Sequence, residues 1–236
     1  MKKTFTVGNL FRSAWQDYKA NWTLFILIGV IFLLVGMLSN LGTEMGPHGG
    51  VYQSPIIGIL GWLLQMFVSL GFIRFLLNLV DGKDHSIEDL FKGANSFSHF
   101  IYFVVVALLY GALVAFGTLL LIIPGIIALV GFIFAQYLIA EEKTGIFESF
   151  KESWKMTRGN RWKIFWLMIV LVFFNIFGAL ALVIGLFITI PMSYLMYAHL
   201  YRTLNTDQSL AEDDLSEESD MEVIEVVEGN QTQDSE

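Results

Sequence analysis

Long apolar runs without charge set the elements expected in this chain. The longest run is 101–140, and no charged residue occurs between Lys92 and Glu141. A single helix of that length would extend about 60 Å, twice the hydrocarbon thickness of about 30 Å. Tilting cannot absorb so large a mismatch. The run therefore predicts two helices joined by a turn near Pro124 and Gly125.

The remaining apolar runs complete the predicted fold. The run 164–201 is also uncharged and long enough for two helices, and two shorter runs each fit one. The predicted fold class is an all-α integral membrane protein with six transmembrane helices in one domain, 1–204, followed by a tail, 205–236. The predicted spans are 22–41, 55–79, 100–121, 124–141, 163–184 and 188–204.

Charge is divided unequally between these two parts. The tail, 205–236, holds 12 acidic and no basic residues, while the first 204 residues hold 10 acidic and all 14 basic residues. The outer turns predicted at 42–54, 121–124 and 185–190 contain no Lys or Arg. Because short cytoplasmic loops are enriched in Lys and Arg, this pattern predicts a multi-pass cell-membrane protein with both termini in the cytoplasm.

Three prolines mark equivalent places in a predicted threefold repeat. Pro55, Pro124 and Pro191 open the second helix of each predicted hairpin, and each hairpin follows a polar segment that begins with Phe and a basic residue. The interpretation is three copies of one unit, made of a cytoplasmic interfacial amphipathic helix, a span, an outer turn and a returning span. The alternative is that any helical hairpin needs an aromatic edge and a turn breaker.

The clearest interfacial segment is GIFESFKESWKM, 145–156. Ile146, Phe147, Phe150 and Trp154 fall on one face at helical spacing. Charged residues cover the opposite face. This pattern predicts a helix that lies at the membrane surface with its apolar face in the lipid.

The stretch from IIPGII to RGNRWKIF resembles a known bacterial family. It is similar to the membrane domain of glycerophosphoryl diester phosphodiesterases and to related uncharacterised integral membrane proteins, through Pro124 and Gly125, Ser153 and Trp154, and the run 158–163. The resemblance implies a multi-helix domain in the bacterial cytoplasmic membrane. It does not extend to catalysis, since the chain has no room for the catalytic domain and none of its four histidines precedes an arginine.

Five basic residues follow or lie within the predicted interfacial helix: Lys151, Lys155, Arg158, Arg161 and Lys163. Near a membrane surface such residues attract anionic lipid headgroups, with about 1 kcal/mol for each charge. The alternative is that they only hold their loop in the cytoplasm. Membrane lipids, the anionic ones among them, are therefore predicted partners.

Three amide side chains, Gln65, Gln136 and Asn175, are predicted at mid-membrane, with His199 closer to the inner edge. Polar groups in spans mark substrate paths in some proteins, and a polar cavity joining the three amides would favour a transporter. The alternative is that each amide only hydrogen-bonds a neighbouring helix. No Asp, Glu, Lys or Arg lies deep in a predicted span, which disfavours ion-coupled transport.

No catalytic or cofactor motif is recognised. The chain lacks Cys and the phosphate-binding and dinucleotide-binding loops, and Glu141, Glu142 and Glu148 are the acids best placed to act on a lipid. We therefore expect no enzyme activity, cofactor, metal or nucleic-acid partner. The leading interpretation is a membrane scaffold or accessory protein whose acidic tail, through MEVIEVVE (221–228), contacts a cytoplasmic protein. The alternatives are a lipid or small-molecule transporter and a membrane enzyme or regulator of glycerophospholipid metabolism.

Overall fold

The computed structural model describes residues 5–39, 43–45, 51–91, 97–181 and 185–206. Within these ranges the regular secondary structure consists of helices and of two short antiparallel strands, in which Thr43 pairs with Gln53. In chain order the elements are α1 (Val7–Ala20), α2 (Trp22–Ser39), β1 (Thr43–Met45), β2 (Val51–Gln53), α3 (Pro55–Val80), a 3-10 helix (Ile87–Leu90), α4 (Phe97–Leu120), α5 (Ile122–Gly131), α6 (Ala135–Ala140), α7 (Ile146–Thr157), α8 (Arg161–Leu180) and α9 (186–206).

Four helical segments in the described ranges are long and apolar enough to cross a membrane: Pro55–Val80, Phe97–Leu120, Ile122–Ala140 and Arg161–Leu180. A fifth candidate is α1 with α2, although an 87° bend separates the two helices. The predicted sixth span corresponds to α9, whose last turns carry His199 and Arg202. Four or five spans are thus supported, and the predicted six are not confirmed.

The uncharged run 101–140 is divided as the sequence predicts. α4 ends at Leu120 and α5 begins at Ile122, and Pro124 lies in the first turn of α5. A Cβ added to Gly125 would lie 2.1 Å from the Thr118 Oγ1 atom of α4. The absence of a side chain at Gly125 is therefore what allows the two helices to approach so closely.

The predicted threefold repeat is not confirmed. Pro55 is the first residue of α3, but Pro191 lies in the second turn of α9 rather than at its start. In the second unit, the 3-10 helix Ile87–Leu90 stands where an interfacial amphipathic helix was expected. The described elements therefore follow the predicted order of units without matching their details.

Apolar side chains cover much of the outer surface of the bundle. Only 11% of the apolar window of α4 is buried, and Leu119 and Ile123, beside the α4–α5 turn, are 84% and 70% exposed. Monomeric soluble proteins rarely expose contiguous apolar patches of this kind. Hydrocarbon is the environment that this surface fits.

The buried core lies toward one end of the bundle. Much of it is formed by the second half of α3, by α6 and by the second half of α9, with further buried residues from α1, α2, α4 and α8. The completely buried residues of α3 and α9 are Val68, Leu70, Phe75, Leu76, Leu195, Ala198, Leu200 and Tyr201. At this end Arg202 pairs with Asp81 at 2.7 Å and also with Glu141. The ends of α3, α6 and α9 are therefore held together by charge as well as by packing.

Candidate functional site

A cavity of about 500 Å³ lies between α2, α3, α4, α6 and α9. This volume falls within the range of small-molecule sites, about 300–1,000 Å³. No side chain that lines the cavity in the described ranges carries a charge. Its walls are apolar for the most part, and the six aromatic residues among them are Phe25, Phe32, Phe72, Phe103, Phe187 and Tyr194.

Gln65 of α3 and Gln136 of α6 both line this cavity. Neither side-chain amide is hydrogen-bonded to another described residue. Ser69 also lines the cavity, but its hydroxyl donates to the backbone carbonyl of Gln65 at 2.8 Å. Both residues therefore line the cavity while their side-chain donors and acceptors lack a partner among the described residues.

Asn175, the third amide considered from the sequence, lies outside the cavity. Its Nδ2 donates to the Ser193 Oγ of α9 at 2.9 Å and to the Leu171 carbonyl at 2.8 Å. The Ser193 hydroxyl in turn donates to the Thr189 carbonyl at 2.7 Å. Asn175 thus joins α8 to α9, and two of the three amides share the cavity.

The segment Ile122–Ala140 is broken at 132–134, immediately before the helix that carries Gln136. At this break the Gly131 carbonyl accepts hydrogen bonds from the Ser153 hydroxyl at 2.9 Å and from the Thr157 hydroxyl at 3.3 Å. The Phe134 amide donates to Ser153 Oγ at 3.2 Å. Two residues of α7 therefore satisfy the backbone groups that the break releases.

Aromatic packing reinforces this contact between α5 and α7. The Trp154 ring lies 5.1 Å from the Phe132 ring, and a Cβ at Gly131 would come within 2.5 Å of Trp154. On its other side the Arg161 guanidinium lies 3.5 Å from the centre of the Trp154 ring. Gly131 thus leaves room for Trp154 directly beside the break.

The face of α7 that packs against the bundle carries hydroxyl residues. Ser149, Ser153 and Thr157 are completely buried, whereas Phe147 is 82% exposed. The amphipathic pattern predicts that the apolar face lies in lipid, and hydrogen bonding to the broken span explains which face turns toward the protein. The sequence signal for the contact between α7 and the broken span was the four-residue spacing of the hydroxyl residues Ser149, Ser153 and Thr157. A search for apolar periodicity alone does not find this spacing.

A second helix irregularity lies in α9. Pro191 has no amide hydrogen, so the Phe187 carbonyl, four residues earlier, lacks its usual helical partner. The Tyr18 hydroxyl of α1 donates to this carbonyl at 3.4 Å. The residue before Tyr18 is Asp17, and its Oδ2 atom lies 2.7 Å from the Nε2 atom of His199 in α9. α1 is therefore joined to α9 at two points, one of which borders the cavity.

The three carboxylates considered for lipid chemistry each have a protein partner. Glu141 accepts hydrogen bonds from Tyr201 and Arg202, and Glu142 accepts one from Arg74. Glu148 accepts from the Gly145 amide at 3.1 Å and so caps α7. In the described ranges, no three His, Asp or Glu side chains are grouped as a metal site requires.

The ionisation of Glu141 depends on its partners. Burial alone would raise the pKa of Glu141. The hydrogen bonds from Tyr201 and Arg202 and the positive charges of Arg202 and Lys143 outweigh burial, so the pKa lies below its ordinary value. Glu141 is thus an ionised structural group that joins the end of α6 to α9.

The five predicted headgroup contacts are spread over α7 and the start of α8. Lys151, Arg158 and Lys163 are exposed. Lys155 pairs with Glu152 at 3.1 Å, and Arg161 stacks on the Trp154 ring. Four of the five basic residues are therefore exposed, and Lys155 among them is paired with Glu152.

The apolar surface and the span-length helices make this a helical membrane protein. Within that class, the chain belongs to the uncharacterised protein family UPF0259, whose family model matches residues 50–228. The matched range includes Gln65, Gln136 and α7, whereas α1 and α2 precede it. No curated protein and no solved structure matches the chain. The match to UPF0259 supports the expected uncharacterised membrane family and gives no link to glycerophosphoryl diester phosphodiesterases.

Proposed function

We propose that this protein binds a lipid or another membrane-soluble molecule in the cavity between α2, α3, α4, α6 and α9. The observation that carries the proposal is the convergence of the Gln65 and Gln136 amides on one apolar cavity without a partner among the described residues. Polar groups inside membrane proteins usually find a protein partner. Two unpaired amides in a cavity of ligand size favour an occupant, and they favour the transporter alternative over a purely structural scaffold.

Access from the bilayer fits this proposal. Leu33 of α2 lines the cavity and is 52% exposed. We infer that the cavity opens toward the lipid beside α2. A ligand that enters sideways from the hydrocarbon region does not need to pass through a charged opening.

The first test is native mass spectrometry of the protein extracted gently from its own membranes. Ser69→Phe fills the cavity, and Leu64→Phe is a matched control on the same helix because Leu64 does not line the cavity. We expect a bound molecule with the wild type and with Leu64→Phe, and its loss with Ser69→Phe. A bound molecule retained equally by all three proteins would contradict the proposal.

The proposed location is the bacterial cytoplasmic membrane, with both chain termini in the cytoplasm. The support is that charged residues from the ends of α3, α6 and α9 meet at one end of the bundle. Because the chain has no Cys, single cysteines at Lys83, Lys143 and Leu121 can be labelled one at a time. We expect an impermeant reagent added outside intact cells to label only Leu121→Cys. Labelling of Lys83→Cys or Lys143→Cys from outside would overturn this orientation.

A second candidate function is the scaffold with a cytoplasmic face that contacts anionic lipid, and the exposure of Lys151, Arg158 and Lys163 favours it. We expect Lys151→Ala combined with Arg158→Ala to reduce the retention of anionic lipid, while Lys83→Ala serves as a control. Unchanged retention would contradict a headgroup site. Arg161 is left intact because it packs on Trp154.

The acidic tail is part of the same scaffold hypothesis, and its residues 207–236 lie outside the described ranges. The proposal is that the tail contacts a cytoplasmic protein. Deletion of 207–236 is expected to remove a co-purifying protein without changing the amount of folded protein in the membrane. Retention of that protein after the deletion would contradict docking through the tail.

A further inference from the structure

The ligand class can be narrowed from the chemistry of the cavity walls. All five helices around the cavity contribute apolar or neutral polar side chains, and none of the described residues that line it is acidic, basic or His. A charged group placed there would lose its hydration without gaining a counter-ion, which is strongly unfavourable. The cavity therefore selects against ionised headgroups, in contrast to the exposed basic residues of α7 and α8.

The two amides define what the cavity can recognise. Each Gln side chain carries an NH₂ group that donates two hydrogen bonds and a carbonyl that accepts. Gln65 and Gln136 come from different helices and line the same cavity, so the ligand inferred below must reach both amides. An ester or a hydroxyl offers the matching acceptors and donors while staying neutral.

The rest of the cavity fits an apolar body. Aromatic side chains from α2, α3, α4 and α9 form much of the wall, and aromatic rings bury large apolar areas with few rotatable bonds. The volume of about 500 Å³ is that of a site for one small molecule rather than for a two-chain phospholipid. Size and lining together describe a single-chain amphiphile.

We infer that the cavity binds an uncharged single-chain amphiphile of the monoacylglycerol type, whose ester and hydroxyl groups hydrogen-bond Gln65 and Gln136 while its chain packs against the aromatic wall. This inference rests on the proposed function and specifies its ligand. It assigns the two amides a role in recognising the headgroup. The protein then discriminates a neutral acyl ester from the corresponding fatty acid anion.

The experiment measures equilibrium binding of tritiated monolauroylglycerol to the purified full-length protein, with laurate at pH 8 and dodecane as competitors. We expect saturable binding of one molecule per chain and competition by laurate at least about tenfold weaker than by unlabelled monolauroylglycerol. Dodecane shares the hydrocarbon chain but has no group for the amides, so it should also compete weakly.

Gln65→Leu and Gln136→Leu test the amides. Each is expected to weaken binding of monolauroylglycerol about tenfold, which is the usual effect of losing one or two hydrogen bonds. Since the amides have no described protein partner, neither variant should unfold more readily than the wild type. An amide with a structural role would instead lower the unfolding temperature when replaced.

The possible results separate the inference from the proposed function. If Ser69→Phe blocks binding but Gln65→Leu and Gln136→Leu do not change it, the cavity binds a ligand and the assigned headgroup contact is wrong. Competition by laurate equal to that by monolauroylglycerol would overturn the selection for a neutral head. If Ser69→Phe and Leu64→Phe bind monolauroylglycerol as the wild type does, the probe binds elsewhere and the inference fails. Absence of binding to the wild type also overturns this ligand class, while the native mass spectra still test the cavity independently.

Discussion

The break at 132–134 gives the sharpest test of how this bundle is stabilised. Ser153→Ala removes one hydroxyl that both donates to the Gly131 carbonyl and accepts from the Phe134 amide. Ser153 is completely buried, so water does not replace it. The Gly131 carbonyl keeps its contact with Thr157 at 3.3 Å, whereas the Phe134 amide loses its partner.

The magnitude follows from these contacts. A buried donor left unpaired costs about 1–3 kcal/mol, and the partly satisfied carbonyl adds less. We therefore expect Ser153→Ala to lower the free energy of unfolding by about 2–3 kcal/mol. Ser149→Ala is the matched control, because Ser149 is equally buried but donates only to the Ile146 carbonyl of its own helix. A loss under about 1 kcal/mol is expected there.

Unfolding by sodium dodecyl sulfate in mixed micelles, followed by the far-ultraviolet circular dichroism of the helices, measures both variants on the same scale. Ser153→Thr is a useful addition because it keeps the hydroxyl and changes only the volume. Equal losses for Ser153→Ala and Ser149→Ala would refute the argument that hydrogen bonds from α7 support the broken span.

Three other changes test the packing, the helix contacts and the charges. Gly125→Ala should destabilise by about 1–3 kcal/mol because its Cβ meets α4, whereas Gly111→Ala, which meets nothing within 4 Å, should be neutral in the same unfolding assay. Tyr18→Phe leaves a carbonyl of α9 unpaired and should cost about 0.6 kcal/mol, while Tyr102→Phe, at an exposed position, should cost nothing measurable. Because the pKa of Glu141 is lowered, its contribution to stability is complete above the ordinary pKa of about 4.3 and is lost as pH falls through the lower folded value. The gap in unfolding temperature between wild type and Glu141→Gln should therefore be full at pH 7 and narrow only as the pH falls below the ordinary pKa of about 4.3; a gap independent of pH would contradict this assignment.

The elements that depend on length and hydropathy could be predicted from the sequence. The division of 101–140 followed from the thickness of a bilayer, and α4 and α5 do separate at Leu121. Gln65 and Gln136 were identified as intramembrane polar residues because they interrupt apolar runs. That they share a cavity depends on the packing of α3 against α6, which no local pattern encodes.

The partners of the irregular backbone could not be predicted in the same way. The break at 132–134 contains no proline, and the residues that satisfy it lie about 20 positions further along the chain on α7. Ser153 and Thr157 are polar residues on a helix with a strong apolar stripe, and periodicity does not indicate that they pack against the bundle. Their burial becomes understandable only when the broken span supplies a carbonyl and an amide that need partners.

The break at 132–134 and the irregularity at Pro191 both lie beside the cavity. Gln136 follows the break supported by α7, and Phe187, whose carbonyl is released by Pro191, lines the same cavity. Non-helical backbone at membrane depth is tolerated where it is buried in protein or lines a cavity. Here α7 supplies the hydroxyls of Ser153 and Thr157 to the break, and α1 supplies the Tyr18 hydroxyl to the Phe187 carbonyl. Their buried faces therefore stabilise the frame of the cavity, which explains why α7 turns its hydroxyl residues rather than Phe147 toward the bundle.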